Sequence, residues 1–428
     1  MSERRVENLV IGAGISGLTF ANYINSTDYL LLEKENEVGG YCRTIKNDRY
    51  IWDFAGHFYH FKTEEFKKLF LSLVEPEEII EQKKVTKIYY KDTLVDYPFQ
   101  MNIHQLEKDE FAESLYDLYT KEEKDHYDNF LDMLYGKFGT AIVEKFLRPY
   151  NEKLYAIDLK QLDTNAMGRF FPYADFDAII RNIKEHNNSS YNDHFLYLKK
   201  GTQYFIDKLF AQIDQSKVEL NTEVTEINSQ EKYVVTNKGE KIYYTNLLNT
   251  TPLNHFLTEV NEDSKSLIDE MSYNKVLVLN IGFNKPSERY KDEHWVYFPS
   301  KELNFYRIGF YNNILGSDEL NVYVEVGYPK DAVVDVEKEL AATLDGMKKT
   351  GIIDDSTEVV DYSYVIMDPA YVHISGSTEE KLQKLYANLE EENIFTTGRY
   401  GKWTYCSMED CMVWAKEIAD KINKKSAA

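Results

Sequence analysis

Cysteine is scarce in this chain: its 428 residues hold three, Cys42, Cys406 and Cys411. They give no even framework, no CxxC pair and no metal-ligand spacing. That excludes a disulfide-stapled scaffold and a cysteine-bound metal, and it predicts a reducing, cytoplasmic setting. No apolar run approaches the ~18 residues of a membrane span. Positive charge is also short, with 50 Lys and Arg against 72 Asp and Glu, a net charge of −22. Such a balance repels nucleic acid and anionic lipid, so neither is expected as a partner. Arginine is the scarcer cation, ten residues against forty lysines. No internal repeat is visible, and only the final Lys-Ser-Ala-Ala reads as disordered. What the chain does have is a 43% hydrophobic fraction with 14% aromatics, enough for ordinary cores. Its length predicts two or three domains.

Arg4 and Arg5 precede an apolar stretch from Leu9 to Ala21 that superficially reads as a secretory signal. Gly12, Gly14 and Gly17 interrupt it, and a strand followed by a turn explains it better. Val6–Ile11 predicts a buried strand, Gly12-Ala-Gly14-Ile15-Ser16-Gly17 a turn, and Leu18–Ile24 a helix. A second apolar strand, Tyr29–Leu32, ends in Glu33 and Lys34. A lone GxGxxG is weak evidence, but this full context predicts a Rossmann-like dinucleotide site. Gly12 permits the tight turn, Gly14 lets the backbone approach a pyrophosphate, and Gly17 allows close helix–strand packing. Ile15 and Ser16 open a helix whose free N–H groups suit phosphate. Glu33 suits ribose hydroxyls.

Soon after comes Gly39-Gly40-Tyr41-Cys42-Arg43-Thr44, a second glycine turn that NAD alone does not require. It resembles the extended fingerprint of glutathione-reductase-type flavoproteins, in which this turn passes the FAD phosphates. Arg43 then faces the pyrophosphate, and Val224 contacts adenine through its backbone. Near the other end, Glu391–Thr397 predicts a strand entering Gly398-Arg399-Tyr400-Gly401. Ser407 and Asp410 fit a capping box opening a helix at Met408, its positive end aimed at the flavin, with Arg399 alongside. FAD is the expected cofactor.

Five further segments resemble the UDP-galactopyranose mutase family, in order along most of the chain. They are Ala55-Gly-His57-Phe-Tyr-His60, Tyr90-Lys-Asp-Thr-Leu94 through Tyr97–Asn102, Arg148-Pro-Tyr150-Asn-Glu-Lys-Leu-Tyr155, Phe305-Tyr-Arg307-Ile308, and Gly398-Arg399 through Tyr405 and Met408. The resemblance implies a redox-neutral isomerase active with reduced FAD. Flavin N5 attacks the anomeric carbon of a nucleotide sugar, and pyranose and furanose forms interconvert for cell-surface polysaccharide biosynthesis. It implies His57, Arg307 and Arg169 as catalytic residues, the last from a mobile-loop arginine. It implies Asn102, Tyr150, Tyr155, Arg169, Arg307, Tyr328 and Tyr405 at the substrate, with Tyr150 on the base. The partner is then a small-molecule nucleotide sugar, and a homodimer stays open. Arginine suits a diphosphate because its planar fork donates two parallel hydrogen bonds. His57 and His60 stand three apart, but no neighbouring cluster completes a metal site.

The fold class expected is mixed α/β. A discontinuous FAD domain is predicted from residues 1–85, 196–252 and 393–428, a helical domain from 104–192, and an antiparallel substrate sheet from 86–103 and 253–392. Two other functions compete. GGYCRT is closer to amine oxidases and protoporphyrinogen oxidases than to the mutase form, so an FAD-dependent oxidase is the alternative. The third is a flavin-bound scaffold or redox sensor that signals through the loop around His57.

Overall fold

The computed structural model describes residues 2–168, 171–172, 174–185, 193–260 and 265–426. Two large sheets organise them. In the first, strand Glu3–Ile11 lies parallel to Lys241–Asn249 on one side and Tyr29–Leu32 on the other. Val218–Glu219 and Ile394–Thr396 extend it in parallel, and Val224–Asn228 and Tyr233–Thr236 add an antiparallel edge. The apolar run Leu9–Ile11 that ends the first strand follows from burial on both faces. Leu9 and Ile11 enter one core with Leu30 and Leu32, whereas Val10 enters the other with Leu31, Met412 and Ala415.

Helix Ile15–Tyr23 packs on the C-terminal helix Met408–Ser426. The Asn423 side chain accepts from the Asn25 N–H at 2.9 Å and donates to the Tyr23 carbonyl at 2.9 Å. The opening and closing segments of the sequence therefore meet on one face of this sheet.

The other face is covered by segments expected with the substrate sheet. Leu253, Phe256 and Leu257 of helix Leu253–Val260 share a core with Leu9 and Ile11. So do Leu382 and Leu389 of helix Gly376–Glu391. Their apolar positions recur at helical spacing, and the parallel sheet needs a cover on this side too.

The second sheet runs in the order Val359–Met367, Ser272–Phe283, Asn321–Pro329, Arg307–Phe310, Trp295–Tyr297, Thr86–Tyr90, Thr93–Asp96. It is antiparallel except where Trp295–Tyr297 lies parallel to Thr86–Tyr90. Alternation along Val276–Ile281 sends Leu277, Leu279 and Ile281 to one core and Val276 and Val278 to another. A helical cluster carries Lys108–Thr120, Phe130–Ile142, the π-helical turn Val143–Leu147, Arg148–Tyr155 and Phe176–Glu185. Phe130, Leu134, Phe138 and Ile142, each four residues from the next, are fully buried and form its stripe. Among the described residues no helix is long and apolar enough to cross a membrane.

Candidate active site

The two sheets and the helical cluster contribute to one cavity of about 1230 Å³. Sites for a single small molecule usually measure about 300–1,000 Å³, so this one has room for a cofactor and a substrate together.

One end is built from the turns at the tips of the parallel strands. Gly12, Gly14, Ile15, Ser16, Glu33, Lys34, Gly39 and Gly40 line it, and Tyr41, Cys42, Arg43 and Val224 continue it. Gly17 stands behind the wall. A Cβ there would lie 2.1 Å from the Gly12 carbonyl oxygen, so glycine lets the helix close on the turn. Gly12 itself has φ +99°, a conformation that L side chains rarely adopt. Helix Ile15–Tyr23 has neither a capping side chain nor an acidic residue in its first turn. Its leading N–H groups are left for an anion.

Glu33 is buried, and backbone holds both of its oxygens. Ala13 N–H donates to Oε2 at 2.8 Å and Glu35 N–H to Oε1 at 3.0 Å. Arg43 donates Nε–H to the Gly40 carbonyl at 2.9 Å and lies over the Phe54 ring, with Glu35 and Glu37 each 3.7 Å from its guanidinium. At the C-terminal helix the capping box forms. Ser407 N–H donates to Asp410 at 2.8 Å, and Asp410 N–H donates back to Ser407 Oγ at 3.2 Å. Ser407 and Met408 border the cavity.

The opposite end is aromatic. Tyr97, Tyr150, Trp295, Tyr297, Tyr306, Tyr371 and Tyr405 line it, with Met101, Met167 and Phe171 from the helical cluster. Tyr150 stacks on Phe146, ring centroids 5.1 Å apart, and meets Tyr297 edge-on at 5.0 Å. Tyr405 stacks on Tyr371 at 5.7 Å, and the Arg399 guanidinium sits 4.5 Å from the Tyr405 ring centre. Arg399 is further held by the Cys406 carbonyl, to which it donates at 3.2 Å.

Arg307 faces Glu325 across neighbouring strands. Its Nε–H and Nη2–H donate to the two carboxylate oxygens at 2.9 and 2.5 Å, a two-pronged pair. The Glu325 side chain is only 3% exposed against 21% for Arg307, so the arginine is the more open of the two.

His57 also lines this region, and its Nδ1 is buried without a hydrogen-bond partner among the described residues. Burial, helped by the nearby Arg399 charge, lowers His57 to about 4, so the ring is neutral at pH 7. His60 donates from Nδ1 to the His194 carbonyl at 3.1 Å, and burial lowers it to about 4 as well. Among the described residues no group of three or more His, Cys, Asp or Glu could hold a metal.

Three residues expected at the substrate stand elsewhere. Asn102 is fully buried, donating to the Pro98 carbonyl at 3.0 Å and accepting from Asn182 at 3.3 Å. Tyr155 packs edge-on against Phe130 and Tyr371 inside the helical core. Tyr328 lies against the core that includes Leu277 and Val326. None of the three lines the cavity. Arg169 falls outside the described residues. Conversely, Glu325, Lys84 and Trp295 line the cavity and were not anticipated. Glu325 had a signal: it is the one charged residue within Val322-Tyr-Val-Glu-Val, an otherwise apolar strand.

Comparison with known proteins agrees with this geometry. A crystal structure of reduced UDP-galactopyranose mutase superposes with a TM-score of 0.92 at 22% identity, covering 97% of this chain and 95% of that one. A putative protoporphyrinogen oxidase from Exiguobacterium sp. 255-15 gives 0.79 at 16% identity, covering 99% and 100%. Cyclohexylamine oxidase from Brevibacterium oxydans IH-35A gives 0.70 at 12% identity, covering 99% and 100%. At such identities these likenesses establish the fold. The uncapped helix start and the fixed Glu33 suit the phosphates and ribose of FAD. The sequence profile of flavin containing amine oxidoreductases matches residues 15–423, nearly the whole chain. It is to this family that the chain belongs, and FAD is its cofactor.

Proposed function

We propose that the chain is a cytoplasmic mutase that interconverts the pyranose and furanose forms of a nucleotide sugar of the UDP-galactose type. The observation that carries the reading is the backbone likeness to reduced UDP-galactopyranose mutase over nearly all of both chains. Arg307 among tyrosine rings at the substrate end adds chemical support. Reduced flavin, when bound, supplies the nucleophile for the anomeric carbon, and no net oxidation results.

The remaining tasks fall to the chain. A dianionic diphosphate approaching a protein of net charge −22 needs local, poorly hydrated cations. Arg307 uses Nε–H and one Nη2–H on Glu325 and interacts with the Tyr297 hydroxyl, and a guanidinium with five N–H donors has others to offer the diphosphate. Arg169 supplies a second cation by its sequence position. Tyr405, fixed by Tyr371 and Arg399, offers its hydroxyl to the same anion, and Tyr150 its ring to the base. The aromatic wall keeps water from the leaving diphosphate so that it can recombine. Neutral His57 takes or returns a proton at Nδ1.

The test incubates reduced and oxidised holoprotein with UDP-galactofuranose and a panel of other nucleotide sugars, and separates ring isomers by chromatography. Isomer exchange by the reduced form alone supports the proposal. No exchange with any nucleotide sugar defeats it. One observation favours a second reading, an amine-type oxidase. The family profile that matches residues 15–423 is that of flavin containing amine oxidoreductases. That enzyme would consume oxygen with each substrate molecule.

A further inference from the structure

All three cysteines gather on one wall of the cavity, although residue 42 and residues 406 and 411 come from opposite ends of the sequence. Cys406 precedes the C-terminal helix and Cys411 is its fourth residue. Their sulfurs are 3.6 Å apart, in hydrogen-bond contact, and both residues are buried, at 7% and 6% exposure. Cys42 is their neighbour and is also buried. The same stretch of wall carries Ser16, Gly398, Arg399 and Ser407, the segment that the capped helix turns toward the cofactor.

A structural account of three buried thiols needs only packing. It does not require two sulfurs in contact at a cofactor wall in a chain with no other cysteine. We propose that Cys406 and Cys411 are a redox-active dithiol that exchanges two electrons with the bound FAD. The inference rests on the bound flavin and not on the identity of the substrate.

The exchange balances. Two S–H bonds break and one S–S bond forms. The two electrons and two protons released convert oxidised FAD to its reduced form. A small thiol from solution, reaching the pair through the cavity, restores the dithiol by two successive exchanges and is itself oxidised. The sulfurs need only close from 3.6 Å to a bond of about 2.0 Å. The surroundings favour attack by Cys411. Its hydrogen bond with Cys406 lowers the Cys411 thiol and raises its partner, and the Arg399 charge works in the same direction on Cys411. Burial pushes Cys42 upward, which leaves it a protonated bystander.

The experiment uses holoprotein, reduced with dithiothreitol or oxidised with diamide, then desalted, denatured, labelled with a maleimide and weighed. Reduced protein should carry three labels and oxidised protein one. The tryptic peptide spanning residues 403–416, which holds both cysteines, should be about 2 Da lighter in the oxidised sample and unlabelled. Anaerobic dithionite titration of the oxidised protein should take up about four electrons per chain, against about two for Cys406→Ser or Cys411→Ser. Three labels after diamide, or a label lost from Cys42 instead, would overturn the proposal. So would equal electron uptake by wild type and either serine variant.

Discussion

At the dinucleotide end of the cavity the chain presents backbone: glycine turns, the uncapped N–H groups of helix Ile15–Tyr23, and one carboxylate, Glu33, fixed by two peptide N–H groups. At the substrate end it presents side chains: a wall of aromatic rings and the paired charges of Arg307 and Glu325, carried mainly on the antiparallel sheet and the helical cluster. The first end recognises a constant ligand through groups every residue possesses. The second can be altered residue by residue without disturbing the first. A family that keeps FAD while changing its chemistry needs this division.

If the division is right, damage at one end should leave the other working. Gly17→Val at the cofactor end should have the largest effect, because its side chain would drive into the Gly12 carbonyl 2.1 Å from the Cβ position. Purified protein should lack flavin absorbance. A fully flavinylated variant would show that the turn tolerates displacement.

Arg307→Ala should keep its flavin but lose about a hundredfold in kcat/KM, the loss expected when a charged hydrogen-bonding partner is removed. It should also unfold more easily, by about 3–5 kcal/mol, because Glu325 would remain as a buried carboxylate without its cation. Restored stability in Arg307→Ala with Glu325→Gln would separate the two effects. Tyr150→Ala should weaken nucleotide-sugar binding about tenfold, measured by calorimetry, with flavin content unchanged.

Acid should act on the fold as a whole through burial of histidine. His57, His60, His294 and His373 are each lowered to about 4, chiefly by desolvation, against 6.5 for an unfolded histidine. Between those values the unfolded chain binds more protons. These groups therefore stabilise the fold fully above pH 6.5, and that contribution drains away as pH falls toward 4. Thermal melts at pH 7 and pH 5 should show the lower midpoint at pH 5. The smallest effect belongs to Tyr155→Phe, expected to keep activity within about twofold because Tyr155 is off the cavity.

The sequence was most readable where a ligand requires backbone. A strand, glycines at set spacing and an acid at the end of the next strand define local geometry, and local geometry is what a linear pattern encodes. At the substrate end the decisive facts are non-local. Glu325 meets Arg307 only because their strands pair in that register. Motif order alone assigned Tyr155 and Tyr328 to the substrate, but a side chain's direction on a helix or strand decides which core it enters. The helices Leu253–Val260 and Gly376–Glu391 are expected with the antiparallel sheet, although each adjoins in sequence a strand of the parallel sheet whose face it closes. Nor does residue order reveal that Cys42 and Cys411 are neighbours.

Catalysis by the proposed mutase leaves substrate and oxygen at their original oxidation levels. An oxygen electrode run on reduced holoprotein turning over a nucleotide sugar, with substrate and ring isomer counted in the same samples, tests it most directly. A mutase forms many isomer molecules for each oxygen molecule consumed. One oxygen consumed for each substrate lost, with no ring isomer formed, would contradict it and mark the enzyme as an oxidase.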